Sequence, residues 1–289
     1  MIVVLLGPTG SGKSDLALAL AKALDAAIIN GDAFQVYRDL SIATNKPSQE
    51  ILAKVPHFLY DFVPLDSAYS VAEYQADARC VIDFLQAKNQ NIIIEGGTGL
   101  YVKAALYDYA FTQESTHDER AYDDKSNDEL YEMLRLLDPK TCEKIHPNNR
   151  QRIIRALEIH ASSGKTKSEI EEEQAHACLY PATFLALDVE REGLYERVDE
   201  RVEDMFARGL LEETIPLIEQ YGRSASAFKA IGVKELFPYL DGEISLEEAK
   251  QQIKLNTRHY VKRQMTWLRH QFQLHWVKNL DEALDIIKA

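Results

Sequence analysis

The sequence contains few cysteines and no long apolar segment. Its three cysteines, Cys80, Cys142 and Cys178, are widely spaced and form no CxxC pair. This spacing argues against a disulfide framework and a structural zinc site, and it suits a reducing compartment. No segment approaches the roughly 20 apolar residues that a membrane span requires, and the N-terminus lacks the basic region of a secretory signal. We therefore expect a cytoplasmic protein with no membrane partner.

The chain also lacks an excess of positive charge, since its formal net charge is −13. That balance alone disfavours a nucleic-acid partner, because a phosphate-binding surface is usually basic. The basic residues are nevertheless clustered, with three arginines between positions 150 and 155 and four lysines and arginines between 258 and 269. The acidic residues are concentrated elsewhere, so a polyanionic partner remains open.

With 289 residues, the chain is longer than a usual single domain. Short apolar segments alternate with helical patterns at both ends, whereas the middle is polar and helical without strand signals. We predict an α/β fold, a P-loop NTPase-like parallel sheet flanked by helices, with a helical insertion domain. The predicted core comprises residues 1–107 and 183–289, and the insertion comprises residues 108–182. We expect a monomer.

Three further elements are predicted between these landmarks. Residues 58–62 have the aromatic and apolar composition of a strand. An amphipathic helix is predicted over residues 70–85, where Ser70 and Glu73 have the spacing of a capping box. Another helix is predicted to open at residues 230–236.

A glycine-rich turn stands between a predicted buried strand, residues 1–6, and a predicted helix, residues 15–24. This order is the context that a P-loop requires. Glycines allow close backbone approach, and the N–H groups of the turn converge beside the positive end of the helix. Lys13 adds a full charge, and the Ser14 hydroxyl can hold Mg²⁺. The pattern predicts a site for a diphosphate or triphosphate, without saying which compound binds, and it consists of Gly7, Pro8, Thr9, Gly10, Ser11, Gly12, Lys13 and Ser14.

Asp32 follows the second predicted strand, residues 26–30. It therefore lies at the carboxyl edge of the sheet, where the P-loop lies and where open α/β sheets bind ligands. One interpretation of Asp32 is a turn or helix cap. The other is a carboxylate that faces a second reactant, because its charge would oppose a bound phosphate.

A second glycine-rich turn, residues 96–99, follows the predicted strand over residues 91–95. It connects strand to helix at the same edge of the sheet as the P-loop. A single such turn is weak evidence for a site, but two at one edge are stronger. Thr98 can offer its hydroxyl to the cleft between them.

The ordered series of motifs resembles the bacterial tRNA dimethylallyltransferase family, also called tRNA isopentenyltransferases. The matching segments include GPTGSGKS at 7–14, DAFQVY at 32–37, GGTGLY at 96–101, IHPNNRQRIIRALE at 145–158, AIGVKE at 230–235 and NTRHYVKRQMTW at 256–267. The resemblance implies transfer of a dimethylallyl group from dimethylallyl diphosphate to a tRNA, with Mg²⁺ as cofactor. The acceptor would be N6 of the adenosine just 3′ of the anticodon, in tRNAs that read U-starting codons, and diphosphate would be released.

The resemblance also implies roles for individual residues. Asp32 would act as general base on N6, and Thr9 would bond the leaving group. Arg201, with Arg197 as the second choice, would stabilise and help to bind the departing diphosphate. The implied tRNA contacts are Asp32, Ala33, Phe34, Gln35, Thr98, Arg120, Gln151, Arg152, Ile153, Ile154 and Arg155.

Three alternatives are weighed against this interpretation. The P-loop alone would suit a small-metabolite kinase, but the sequence has no obvious Arg-rich lid. The second alternative is an isopentenyltransferase that acts on free adenine nucleotides, but the long insertion and its QRIIR helix favour tRNA as the substrate. A nucleotide-dependent regulatory module would leave Asp32 without a reason to lie beside the P-loop.

Overall fold

The computed structural model describes residues 1–111, 122–175 and 177–289. They form two compact units, one of residues 1–106 and 180–289, the other of residues 107–179. Within these described ranges, no helix is both long enough and apolar enough to cross a membrane.

A six-stranded parallel sheet is the centre of the larger unit. Its strands are β1 (Ile2–Leu6), β2 (Ala26–Asn30), β3 (His57–Phe58), β4 (Asn91–Gly96), β5 (Ala182–Leu187) and β6 (His275–Val277). They lie in the order β3-β2-β4-β1-β5-β6, and every neighbouring pair is parallel. The central strand β1 is buried at every residue, as expected where helices cover a parallel sheet. The predicted α/β fold with a helix-flanked parallel sheet is confirmed.

Fourteen α-helices occur among the described residues. They are α1 (Lys13–Leu24), α2 (Ser41–Thr44), α3 (Gln49–Leu52), α4 (Val71–Ala87), α5 (Gly99–Leu106), α6 (Asn127–Leu137), α7 (Pro139–Lys144), α8 (Arg150–Ser163), α9 (Lys167–Glu173), α10 (Arg191–Ala207), α11 (Leu210–Tyr221), α12 (Phe237–Leu240), α13 (Leu246–Gln271) and α14 (Leu280–Lys288). Ser70 caps α4 through the expected capping box with Glu73. The C-terminal α14 follows β6 and is not among the elements predicted from sequence.

Two of the hydrophobic clusters among the described residues of the larger unit bear on its site. One lies between the sheet and α1 with α14, and includes Leu16, Leu20 and Ala283. The other joins α10, α11 and α13 to the loop after β2, and includes Phe228 and Leu236. Because the second core includes Tyr37, Leu40 and Ala43, it fixes the loop after β2 in place.

Two predicted elements differ from the structure. The strand predicted over residues 58–62 pairs with β2 only at His57 and Phe58, because Leu59 and Asp61 adopt left-handed φ values of 63° and 57°. The prediction of a helix that opens at residues 230–236 is wrong for the first half of that segment. Gly232 has φ 102°, which interrupts a right-handed helix, and only a short 3₁₀ turn at Lys234–Leu236 precedes α12.

The described part of the smaller unit contains four α-helices, α6 to α9. Leu130, Leu134, Ile153 and Leu157 form its buried centre. Asp138 is only 2% exposed. It caps α7 by accepting from Thr141 N, and it also accepts from Ser168 N in the first turn of α9, each at 3.0 Å. Burial of Asp138 opposes its ionisation, but these hydrogen bonds outweigh burial and lower its pKa.

Candidate active site

The P-loop runs from β1 to α1, as the sequence predicts. Gly10 and Gly12 have φ values of 80° and 85°, where residues with a Cβ are strained. Ser11 N donates to Pro8 O at 3.2 Å and closes the turn. The helix begins at Lys13, so the unpaired N–H groups of its first turn adjoin the loop. This geometry suits an anion.

A cavity of about 860 Å³ opens at the P-loop. Five basic residues line it, namely Lys13, Lys46, Arg197, Arg201 and Arg208. Lys46 is already paired with Asp61 at 2.5 Å, and Arg208 with Asp204 at 3.4 Å. Within the described part of the chain, Lys13, Arg197 and Arg201 form no ion pair. Three cations are therefore free to neutralise a bound diphosphate.

Ser14 donates its hydroxyl hydrogen to Glu95 Oε1 at 2.8 Å. Glu95 is 6% exposed and is the second-last residue of β4, and its other oxygen accepts from the Tyr60 hydroxyl at 3.3 Å. A hydroxyl and a carboxylate at the mouth of a phosphate cavity are the oxygen ligands that Mg²⁺ prefers. Mg²⁺ usually keeps several waters and needs few protein ligands, so these two residues fit the ion.

A second cavity of about 220 Å³ adjoins the first. Its polar lining includes Thr9, Asp32, Arg201 and Tyr260, and its apolar lining consists of Phe34, Ala43, Val202, Met205, Ala230, Ile231 and Ile253. Arg201 lines both cavities. Its side chain therefore connects the P-loop site with the Asp32 site.

Asp32 is held in place by its neighbours. Its Oδ1 accepts from Phe34 N at 2.9 Å, and its own N–H donates to Asn30 Oδ1 at 2.9 Å. The turn-capping interpretation of Asp32 is thus correct for one carboxylate oxygen. The same side chain lines the smaller cavity, so capping and a chemical role are compatible.

The charge of Asp32 acts on residues around it. Burial lowers the pKa of Arg201, the Arg208 charge lowers it further, and Asp32 opposes this shift. Arg201 nevertheless keeps its charge because the guanidinium pKa starts so high. Burial raises the pKa of Tyr260 to about 12, and Asp32 adds to the increase. Tyr260 is therefore a neutral hydroxyl at physiological pH.

The second glycine-rich turn lies beside Asp32. Thr98 Oγ1 accepts from Ala33 N at 3.2 Å, which joins this turn to the loop after β2. In that loop, Gln35 Nε2 donates to Thr44 O and Asn45 O, each at 3.1 Å. The donor end of the Gln35 amide therefore holds its own loop. A groove of about 180 Å³ continues from Thr98 along α13.

The other predicted tRNA contacts lie in the smaller unit. Gln151, Arg152 and Arg155 are exposed on α8. Ile154 packs partly against the helical core. Ile153 requires a correction, because it is 0% exposed at the centre of that core and its side chain is inaccessible to a partner. Arg120 lies outside the described residues.

Three residues that complete the site of the larger unit are not among the residues predicted from sequence. Glu95 has the sequence signal only of a strand end, although its carboxylate faces the P-loop serine. Tyr260 and Gln264 come from α13, and Gln264 Oε1 accepts from Thr9 N at 3.0 Å. Both residues lie in the segment 256–267 that resembles the family, but no local sequence pattern shows which turn they contact.

The fold and the paired cavities define a class of protein: a P-loop α/β protein with a diphosphate-type site beside a carboxylate-containing site. The sequence model of the family described as IPP transferase matches residues 35–271. The tRNA dimethylallyltransferase of Anoxybacillus flavithermus is 44% identical over 285 residues, covering 98% of this chain and 92% of that protein. The tRNA dimethylallyltransferase of Bacillus subtilis is 41% identical, with coverage of 95% and 90%.

Solved structures agree with these sequence matches. The tRNA delta(2)-isopentenylpyrophosphate transferase of Staphylococcus epidermidis has a TM-score of 0.73 at 34% identity, covering 99% of this chain and 97% of its own. A eukaryotic dimethylallyltransferase acting on tRNA has a TM-score of 0.83 at 30% identity, covering 97% and 74%. The chain belongs to the IPP transferase family.

Proposed function

We propose that the chain transfers a dimethylallyl group from dimethylallyl diphosphate to N6 of the adenosine just 3′ of the anticodon, in tRNAs that read U-starting codons. Family membership makes it a tRNA prenyltransferase. One observation carries the finer assignment: Arg201 lines both the P-loop cavity and the cavity of Asp32. Dimethylallyl diphosphate has a charged diphosphate end and an apolar five-carbon end. A protein that binds it therefore needs a basic cavity that adjoins a partly apolar one, as these two cavities do.

The P-loop side binds the diphosphate and stabilises it as the leaving group. Negative charge grows on the bridging oxygen as the allylic C–O bond breaks. The N–H groups of the loop, Lys13 and Arg201 offset that charge, which is the electrostatic form of catalysis. Thr9 lines the neighbouring cavity, where its hydroxyl can bond the leaving oxygen. Arg197 supports binding from the cavity rim.

The Asp32 side receives the acceptor base. The adenosine leaves its stack to reach the cavity, as bases do in enzymes that modify them. N6 forms a bond to the allylic carbon, and Asp32 takes the proton that N6 loses. The bond between Phe34 N and Oδ1 orients the carboxylate for this transfer. The phosphates depart as intact diphosphate.

Mg²⁺ fits the mouth of the P-loop cavity. Ser14 and Glu95 would hold it, directly or through water. When bound, the ion neutralises diphosphate oxygens and so favours their departure. Thr98 and the loop of Ala33, Phe34 and Gln35 would contact the anticodon loop, while the exposed side chains of α8 would bind its backbone through Arg152 and Arg155.

A transfer assay tests this function. The protein is incubated with Mg²⁺, dimethylallyl diphosphate labelled in its carbon group, and unmodified tRNA that reads U-starting codons. We expect label in N6-prenylated adenosine of the tRNA. Label only on AMP would indicate a free-nucleotide isopentenyltransferase instead. Phosphate transfer from ATP without prenylation would indicate a kinase.

A further inference from the structure

Gln264 bridges the two glycine-rich turns of the larger unit. Its Oε1 accepts from Thr9 N in the P-loop at 3.0 Å, and its Nε2 donates to Gly97 O in the second turn at 2.8 Å. The side chain is 5% exposed. A Cβ on Gly97 would overlap Gln264 Nε2, so the glycine leaves the space that the amide occupies.

The orientation of this amide is dictated by its partners. A backbone N–H can only donate and a carbonyl can only accept, so Gln264 must present oxygen to Thr9 and nitrogen to Gly97. Only an uncharged side chain with one donor and one acceptor satisfies both partners. A carboxylate would face the Gly97 carbonyl with a second acceptor, and an aliphatic side chain would serve neither group.

Gln264 also belongs to a network that reaches Asp32. Gln264 Nε2 holds Gly97 O, and the next residue along the second turn is Thr98. Gly97, Thr98 and Gln264 also line one groove together with Tyr260, one helical turn before Gln264 on α13. Thr98 in turn accepts from Ala33 N, beside Asp32. The network therefore runs from the loop that binds the donor to the loop that carries the proposed base.

We propose that Gln264 is a positioning residue, which sets the spacing between the P-loop and the acceptor turn so that the allylic carbon and N6 meet in line. This inference rests on the proposed function. Gln264 lines neither of the cavities assigned to diphosphate and Asp32, and it acts through the groups that it holds. Its loss displaces two bound substrates relative to each other while each half-site keeps its own contacts.

The test compares Gln264→Leu and Gln264→Glu with Val261→Ala in steady-state prenylation of unmodified tRNA. Val261 is a buried residue on the same helix whose side chain packs in a separate apolar cluster with Leu194 and Val198. Thermal unfolding of each variant identifies a temperature at which all are folded. We expect both Gln264 variants to lose about 10- to 100-fold in kcat, with each KM within about threefold, because misplacement impairs reaction rather than binding.

The control variant should lose thermal stability but keep its kcat. If Gln264→Leu does not fold, Gln264→Glu, which preserves size, provides the measurement. An unchanged kcat in both variants, or a rise in one KM alone, would overturn the inference. Absence of prenylation by the unsubstituted protein would instead refute the proposed function, so the two failures are distinguishable.

Discussion

The two glycine-rich turns stand at one edge of the sheet but use their glycines differently. In the P-loop, Gly10 and Gly12 have left-handed φ values, and nothing lies within 4 Å of a Cβ built on Gly12. In the second turn, a Cβ on Gly96 would overlap the carbonyl of Gly31, and one on Gly99 would overlap the Trp267 ring. The first turn is shaped by its backbone angles, and the second by the protein packed against it.

This difference indicates how the two turns divide the work. A loop with open space beside it can surround a ligand, which suits the diphosphate. The second turn is packed against the residue after β2 and against α13, which restrains it. A restrained turn suits the alignment of an acceptor base. The free cations of Lys13 and Arg201 belong to the first turn's cavity, whereas the polar network of Thr98 and Gln264 belongs to the second.

The largest effect should come from the proposed base. Asp32→Ala is expected to lower the single-turnover rate about 10²- to 10⁴-fold, because no carboxylate takes the N6 proton. The affinity for dimethylallyl diphosphate, measured by equilibrium binding, should stay within about threefold. Lys13→Ala provides the contrast on the donor side and should weaken that affinity as well. The reverse pattern would remove Asp32 from the role of base.

Alanine at one glycine of each turn should separate packing from backbone strain. Gly96→Ala is expected to destabilise the fold by more than about 3 kcal/mol, because the new methyl group meets rigid backbone. Gly12→Ala should cost only about 1–2 kcal/mol, the strain of a left-handed residue. Urea unfolding measures both. Equal losses of stability would show that the turns do not differ as described.

Arg201 lines both cavities, so its replacement should affect rate more than binding. We expect Arg201→Ala to lower kcat about 10²-fold, since it removes charge stabilisation from the departing diphosphate. Arg201→Lys should recover only part of the rate, because an ammonium group lacks the guanidinium fork. Arg223→Ala is a matched control, since that arginine pairs with Asp241 on the surface. An Arg201→Ala variant with normal kcat would contradict the assignment.

The smallest effect is expected in the helical unit, where the buried carboxylate of Asp138 serves structure alone. Asp138→Asn should destabilise the protein by about 1–2 kcal/mol at pH 7, a typical loss for a helix cap. The pKa of Asp138 is lowered in the folded state. Its contribution is therefore present above the unfolded pKa of about 3.9 and is lost as the pH falls through the folded pKa.

Unfolding in urea at neutral and acidic pH tests this dependence. The difference in stability between the original protein and Asp138→Asn should shrink as the pH falls below about 4. A difference that stays constant with pH would show that the charge of Asp138 makes no contribution.

Much of the sheet and the P-loop could be predicted because their signals are local. Strand, turn and helix follow one another directly around Lys13, and the capping box joins Ser70 to Glu73, only three positions along the chain. The strand prediction over 58–62 also rests on a local signal, and it is wrong beyond Phe58. The composition favours a strand, but the backbone turns away from β2 after that residue. Local pattern does not determine how far neighbouring strands pair.

The contacts that complete the site could not be predicted from local pattern. Gln264 lies 255 positions from Thr9 and 167 from Gly97 along the chain. Only the packing of α13 against both turns brings these groups together. Ile153 shows the converse, since likeness to a binding motif does not separate the exposed side of α8 from its buried side.

The most direct test of the account follows the bridging oxygen of dimethylallyl diphosphate that joins the allylic carbon to the first phosphorus. The central claim is that the P-loop holds a leaving group while the carbon group moves. With the bridging oxygen isotopically labelled and unmodified tRNA as acceptor, mass spectrometry of the products identifies the bond that breaks. The account predicts that the label is recovered entirely in diphosphate, through C–O cleavage. Label in dimethylallyl alcohol, with the diphosphoryl group transferred to an acceptor, would contradict it. So would label in dimethylallyl monophosphate, with the terminal phosphate transferred.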